Sequence, residues 1–102
     1  MLKRIEVYFL INAERLYQDR TYDPNAVLTS GQTRAERDLD VAPGLVLLDS
    51  YVRKAQDTWT DRAGGTGNNI PTLQQVAKIA AIAVRILECA GGSETLLTTG
   101  LR

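Results

Sequence analysis

The chain of 102 residues contains no histidine and a single cysteine, Cys89. Without histidine there is no base for Ser-His-Asp or Cys-His nucleophile activation, and most zinc sites lose their usual ligand. One cysteine forms no internal disulfide, so the fold owes nothing to an oxidising compartment. An excess of one charge is also missing: 12 Lys and Arg balance 12 Asp and Glu. A neutral chain lacks the basic footprint expected for duplex nucleic acid. No run of 18 apolar residues occurs, which predicts no membrane span. Lys3-Arg4 followed by apolar residues to Ala13 imitates a signal peptide, but Glu6 interrupts the run and Asn12 ends it. A cytoplasmic chain starting at Met1 is therefore expected. The length suits one domain with one core, and 44% apolar with 24% charged residues is ordinary globular composition. Any catalysis would have to use carboxylates, Lys, Arg, Tyr or a carboxylate-held metal.

What the sequence does contain is helical periodicity. Leu2, Ile5, Phe9, Ala13 and Leu16 recur at three- and four-residue steps, predicting a helix over about 2–19 with these residues as its core stripe. A strand over Ile5 to Ile11 competes, since β-branched and aromatic residues crowd there, but no turn signal separates this stretch from the helical one after it. Val7 and Ile11 open a second seam that continues at the same spacing to Glu14 and Gln18. The connection 20–42 carries turn signals at Tyr22-Asp23-Pro24-Asn25 and Ser30-Gly31. Thr33 and Glu36 have capping-box spacing, predicting a short helix near Arg34 to Leu39.

A second long helix is predicted over about 43–61, with Pro43 in its first turn and Leu45, Leu48, Val52, Ala55 and Trp59 as its core stripe. Asp49 with Arg53 and Lys54 with Asp57 are spaced for ion pairs along it. A third helix is predicted over about 73–90, opened by Thr72 and Gln75 and closed by Gly91-Gly92. Its apolar residues spread around most of the circumference, and only Lys78, Arg85 and Glu88 carry charge. Two neighbouring helices from so small a chain do not cover such a helix, so a second copy is expected to. The reading is one all-α domain over 1–102: three long helices and a short one in the long connection, assembled as a dimeric helical bundle.

Several motifs carry little chemistry. Ala63-Gly64-Gly65-Thr66-Gly67-Asn68-Asn69 lacks the Gly-Lys-Ser/Thr ending of a phosphate loop, and no strand precedes it. Thr72-Leu73-Gln74-Gln75-Val76-Ala77 opens like a helix-turn-helix, but Ile79 to Val84 holds no break. Cys89 on the apolar helix reads as a core residue. The helix-borne acids Glu14, Asp49, Asp57, Asp61 and Glu88 include no pair three residues apart, so no metal ligand is assigned.

Three stretches carry a family resemblance: Glu14-Arg15-Leu16-Tyr17-Gln18-Asp19-Arg20-Thr21-Tyr22, then Pro43-Gly44-Leu45-Val46-Leu47-Leu48, then the alanine-rich run from Val76 to Glu88. Their order and spacing resemble the MazG-like, all-α nucleotide pyrophosphatase type of phages and mobile elements, over about half the chain. The resemblance implies a homodimer or larger helical assembly and magnesium-dependent cleavage of nucleoside triphosphates. Family metal ligands come as E-x-x-E on the central helix and E-x-x-D on the next. Here only Asp49 is acidic at the central position, with Arg53 and Lys54 close by, and Gln74 and Gln75 precede Val76. Cations at such a cluster would repel a metal.

These readings imply a noncatalytic or degenerate MazG-like protein that self-associates and binds a protein partner or nucleotide-like ligand, without duplex nucleic acid or membrane. The alternative is an atypical magnesium-dependent pyrophosphohydrolase using Asp49, Asp57 and Glu88, and the sequence leaves catalysis open between the two. Catalytic residues are not assigned. The ligand-binding residues expected are Glu14, Tyr17, Gln18, Asp19 and Asp49, because Glu14 and Gln18 sit where an apolar seam turns polar.

Overall fold

The computed structural model describes residues 1–61 and 69–91. The expectations for the glycine-rich loop at 62–68 and for the tail after Gly92 lie outside these residues. Among the described residues the fold is all-α: helix α1 is Arg4–Thr21, α2 Arg34–Asp38, α3 Val41–Asp61 and α4 Ile70–Ile86, with a π-helical turn at Leu87–Gly91. The competing strand over Ile5 to Ile11 is absent, since those residues are helical.

Local chemistry sets the boundaries. The Lys3 N–H donates to the Glu6 carboxylate at 2.9 Å, occupying a free amide at the head of α1. The capping box expected at α2 forms: the Glu36 N–H donates to Thr33 Oγ1 at 3.2 Å and the Thr33 N–H to Glu36 Oε1 at 3.3 Å. Helix α3 starts at Val41, whose N–H donates to the Asp40 carboxylate at 2.9 Å. Pro43 then falls within the first turn, where its missing N–H removes no helical bond. Helix α4 starts at Ile70, ahead of the expected Thr72–Gln75 box. That box does not form, and Thr72 Oγ1 and Gln75 Oε1 are buried without hydrogen-bond partners.

The connection between α1 and α2 is ordered by its own bonds. Asp23 accepts from the Asn25 N–H, Leu28 N–H donates to the Gln32 carbonyl, and Gly31 takes a left-handed φ of 89° at the tip. Arg34 and Ala35 N–H groups donate back to the Ala26 and Pro24 carbonyls, tying the loop to the head of α2. Leu39, only 1% exposed, anchors the far end of α2 in the core.

Helix α4 is the hub. Both α3 and α1 pack against it, and α2 rests on α3. At one crossing Gly44 lets α3 approach closely: a Cβ there would lie 2.8 Å from both Cγ1 and Cδ1 of Ile86. Among the described residues the buried apolar ones are Leu39, Ala55, Ala81 and Ile82.

Helix α1 turns inward on a face other than the expected one, and α3 on a face that keeps Leu48 and Ala55 of its expected stripe and leaves the rest outside. On α1 the expected stripe of Leu2, Ile5, Phe9, Ala13 and Leu16 is exposed, Phe9 by 67%. The second seam, Val7, Ile11 and Glu14 with Gln18 and Arg15 beside it, is the face that is partly or fully buried. The reason is electrostatic as well as apolar. Arg15 Nε donates to Glu88 at 2.6 Å, which selects this face for contact with the end of α4. On α3, Leu45, Val52 and Trp59 of the expected stripe are exposed, while Gly44, Leu47, Leu48, Tyr51, Ala55 and Thr58 are buried or half-buried. Small residues win this face because α4 comes close. Cys89, expected in the core, is exposed.

The shape is correspondingly open. The radius of gyration is 15.5 Å, against about 13 Å for a compact domain of 100 residues. Segment Ile70–Cys89 is long and apolar enough, by length and composition alone, to cross a membrane. Lys78 and Arg85 interrupt its apolar run, so a search for an unbroken run passes over it.

Candidate ligand pocket

The C-terminal end of α1, helix α2, the middle of α3 and the last turns of α4 enclose a cleft of about 340 Å³. Its walls are Gln18, Tyr22, Arg34, Arg37, Asp38, Leu39, Leu47, Tyr51, Ile82 and Arg85. That volume lies at the lower end of the range of about 300–1,000 Å³ typical for small-molecule sites.

Each wall follows from the local fold. Helix α1 stops at Thr21, and the Tyr22 N–H still donates to the Gln18 carbonyl at 2.7 Å. The freed Tyr22 carbonyl accepts from Arg85 Nη2 at 2.7 Å, so α4 is pinned to the end of α1. The capping box and the loop bonds fix α2, which places Arg34 and Arg37 on the wall. The Arg34 guanidinium lies 5.7 Å from the centroid of the Tyr22 ring. On α3, Lys54 does not pair with Asp57 as its spacing allowed but sits over the Tyr51 ring, 4.8 Å from its centroid.

The charge in this cleft is unbalanced. Arg37 is held by two bonds of 2.7 Å to the neighbouring Asp38 carboxylate. The Arg37 bond holds the Asp38 carboxyl below its usual range, against the opposing effect of partial burial. Arg85 has no such partner: it is 5% exposed, makes no carboxylate salt bridge among the described residues, and its Nε is buried without a hydrogen-bond acceptor. Burial, and then repulsion from Arg15, pull its guanidinium below the usual arginine range. Gln18, also 5% exposed, leaves its Oε1 without a donor. Two residues of the cleft wall thus each hold a buried, unpartnered polar atom, of opposite hydrogen-bonding sense, and such groups are expensive to bury unpaired.

Arg15 makes an instructive contrast. Burial lowers it, but hydrogen bonds to Glu88 and Asp19 outweigh that and hold it above the usual range. It is a satisfied cation with two carboxylates, and it faces a different surface from the cleft.

Of the residues expected to bind ligand, Gln18 lies in the cleft wall. Glu14 and Tyr17 meet Gln18, Tyr22, Tyr51 and Lys78 around a small adjoining hollow of about 110 Å³. Asp19 turns away and pairs with Arg15 at 3.0 Å. Asp49 stands in neither the cleft nor the hollow and pairs with Arg53 at 3.1 Å on the exposed face of α3. Sequence reasoning missed Arg34, Arg37 and Arg85. The available signal was Arg85 itself, a cation in the middle of an apolar helix. Among the described residues no group of three or more His, Cys, Asp or Glu is close enough to hold a metal ion.

Comparison of the chain with known protein families, with curated proteins and with solved structures finds no match.

Proposed function

We propose that this protein is a noncatalytic helical binding module, a degenerate relative of the MazG-like type, that self-associates and takes a nucleotide-like ligand or a protein partner. The observation that carries self-association is the uncovered apolar surface. Nineteen large apolar or aromatic residues are exposed among the described residues, against four apolar residues buried. Soluble monomers seldom display so much. They include Leu2, Ile5, Phe9 and Leu16 at heptad-like spacing on α1. Leu2, just before α1, also borders a largely apolar groove of about 650 Å³ together with Leu10 and Tyr17 of α1 and Leu73 of α4.

A second copy of the chain is the occupant this surface favours. The α1 stripe of one copy suits the groove of the other, and a two-fold axis covers both at once. Burying the four half-exposed stripe residues contributes about 1 kcal/mol each, or roughly 8 kcal/mol over two copies. Association costs about 4–15 kcal/mol, so the stripe and the groove must both be used. Lipid is the less favoured occupant of α4, because Arg85 and Glu88 within the candidate span are both bonded to α1 or its C-terminal cap. A membrane-free, cytoplasmic setting belongs to this same reading.

The pyrophosphohydrolase alternative ranks second. Asp49, Asp57 and Glu88 form no cluster, and Asp49 and Glu88 are each engaged by an arginine. Release of pyrophosphate from a nucleoside triphosphate with magnesium or manganese would promote it.

Sedimentation equilibrium at tens of micromolar tests the favoured reading. The natural chain is expected to be a dimer, and Phe9→Glu/Leu16→Glu a helical monomer. A monomeric natural chain refutes self-association, and a dimer indifferent to both substitutions refutes this face.

A further inference from the structure

We infer that the arginine-lined cleft is a binding site for a compact phosphomonoester with a hydroxyl-bearing body, the chemistry of a sugar phosphate, held by guanidinium groups without a metal. This rests on the reading of the protein as a binding module and names the ligand class of its cleft. The cleft carries an unbalanced charge. Arg34, Arg37 and Arg85 against Asp38 leave an excess of two positive charges, and a phosphomonoester carries close to two negative charges at neutral pH. Arg85 is the central group. One branch of its guanidinium is spent on the Tyr22 carbonyl, while its Nε–H is buried with nothing to donate to. A phosphoryl group in the cleft supplies the countercharge that Arg85 lacks.

The rest of the cleft sets the other end of the ligand. Gln18 Oε1 is a buried acceptor that lacks a donor. A phosphoryl dianion has no proton to offer a Gln18 side chain turned toward the cleft, whereas a hydroxyl or N–H on the ligand does. Tyr22, Tyr51, Leu47 and Ile82 supply a half-apolar wall beside it. Bare phosphate would leave Gln18 and this wall unsatisfied. The sharing of Gln18, Tyr22 and Tyr51 with the adjoining hollow extends the site toward Lys78, Glu14 and Tyr17.

Asp38 is the brake on this site. Among the described residues it contributes the only carboxylate in the cleft wall, and it occupies Arg37. Removing its charge frees a guanidinium and deletes a repulsion, a change that no purely structural role of Asp38 would turn into tighter phosphate binding.

Isothermal titration of the full chain tests the proposal with four probes: ribose 5-phosphate, inorganic phosphate, ribose and adenosine 5′-monophosphate. Ribose 5-phosphate is expected to bind saturably, more tightly than inorganic phosphate, with ribose silent. Arg34→Gln and Arg37→Gln, both outside the fully buried core, are each expected to weaken it about tenfold. Asp38→Asn is expected to tighten it several-fold, and Arg85→Lys to abolish it while circular dichroism stays helical. No saturable binding of ribose 5-phosphate overturns the site. So does affinity unmoved by the Arg34, Arg37 and Asp38 substitutions, which remain informative if Arg85→Lys unfolds. Inorganic phosphate binding as tightly as the ester removes the role of the organic body. Binding of the nucleotide alone moves recognition to a base and overturns the sugar-phosphate assignment. Assembly is read by sedimentation and ligand by titration, so failure of this site is distinguishable from failure of the module reading.

Discussion

The crossing of α3 and α4 at Gly44 offers a sign test of the fold. In an ordinary helix, replacing glycine by alanine stabilises by about 0.8–1.0 kcal/mol. Here the added Cβ would stand 2.8 Å from Ile86 Cγ1 and Cδ1, and carbon atoms rest at about 3.5–4.0 Å. One helix or the Ile86 side chain must therefore shift by about 0.7 Å. Overpacking of this kind costs about 1–3 kcal/mol. Because Gly44 lies in the first turns of α3, the propensity gain is at its smallest and the clash wins. Gly44→Ala is expected to destabilise by about 1 kcal/mol, lowering the melting temperature by about 4–8 °C in a domain of this size. The assay is thermal unfolding by circular dichroism at one fixed protein concentration, since stability of a self-associating chain depends on concentration. The control is the same substitution in an Ile86→Ala background. There the obstructing atoms are gone, and Gly44→Ala should become neutral or stabilising. A rise in melting temperature for Gly44→Ala alone would refute the close approach of α3 to α4.

Three further outcomes are expected. Asp38, with its carboxyl pKa depressed by Arg37, contributes stability that is whole above about pH 5 and shrinks as pH falls through and below about 3.9, the ordinary carboxyl value. Urea midpoints measured from pH 7 to pH 2 should therefore fall less steeply in Asp38→Asn, and an identical slope counts against the Arg37 pair. Ile82→Glu places a charge at a position 4% exposed, so it should unfold the chain at every concentration; a folded monomer would mean that Ile82 belongs to a subunit interface instead. Thr72 Oγ1 is buried without a partner, so Thr72→Val should be neutral or stabilise by up to about 1 kcal/mol in urea unfolding, and a loss of that size would show that the hydroxyl is bonded.

The helices were legible in the sequence because periodicity is a property of each segment by itself. The faces were not, because a face is chosen by the partner. On α1 the stripe of Leu2, Ile5, Phe9 and Leu16 is the more apolar of the two, yet the seam through Val7, Ile11 and Gln18 turns inward. One contact on that seam that no local pattern announces is Arg15 with Glu88, 73 residues away along the chain. On α3 the expected stripe is split: Leu48 and Ala55 turn inward while Leu45, Val52 and Trp59 stay outside, because the approach of α4 at Gly44 shifts the buried face. On α1 the richer apolar stripe is left outside, and on α3 three of its five residues are. The failure to place these stripes in the monomer's core is therefore the same observation that argues for a second copy.

The cleft was half legible for a related reason. Gln18 stood out because it continues an apolar seam, and a polar residue in register with apolar ones is either buried or at the edge of burial. Arg85 met the same condition on α4, with Ala81 and Ile82 beside it fully buried, but a lone cation on an apolar helix is ordinarily taken for a side chain whose charge reaches water. Whether it reaches water depends on what stands above it. Here the C-terminal cap of α1 does, and its Tyr22 carbonyl accepts one Arg85 hydrogen bond and leaves the Nε unfilled. Arg34 and Arg37 carried still less signal, since their place is fixed by loop bonds from Pro24 and Ala26 that have no periodicity to read. A binding site assembled from the end of one helix, the middle of another and a five-residue helix in a loop is a property of the tertiary fold. That is also why the unpaired charge of Arg85 in the cleft wall, and not any motif, is the strongest support for the ligand proposed here.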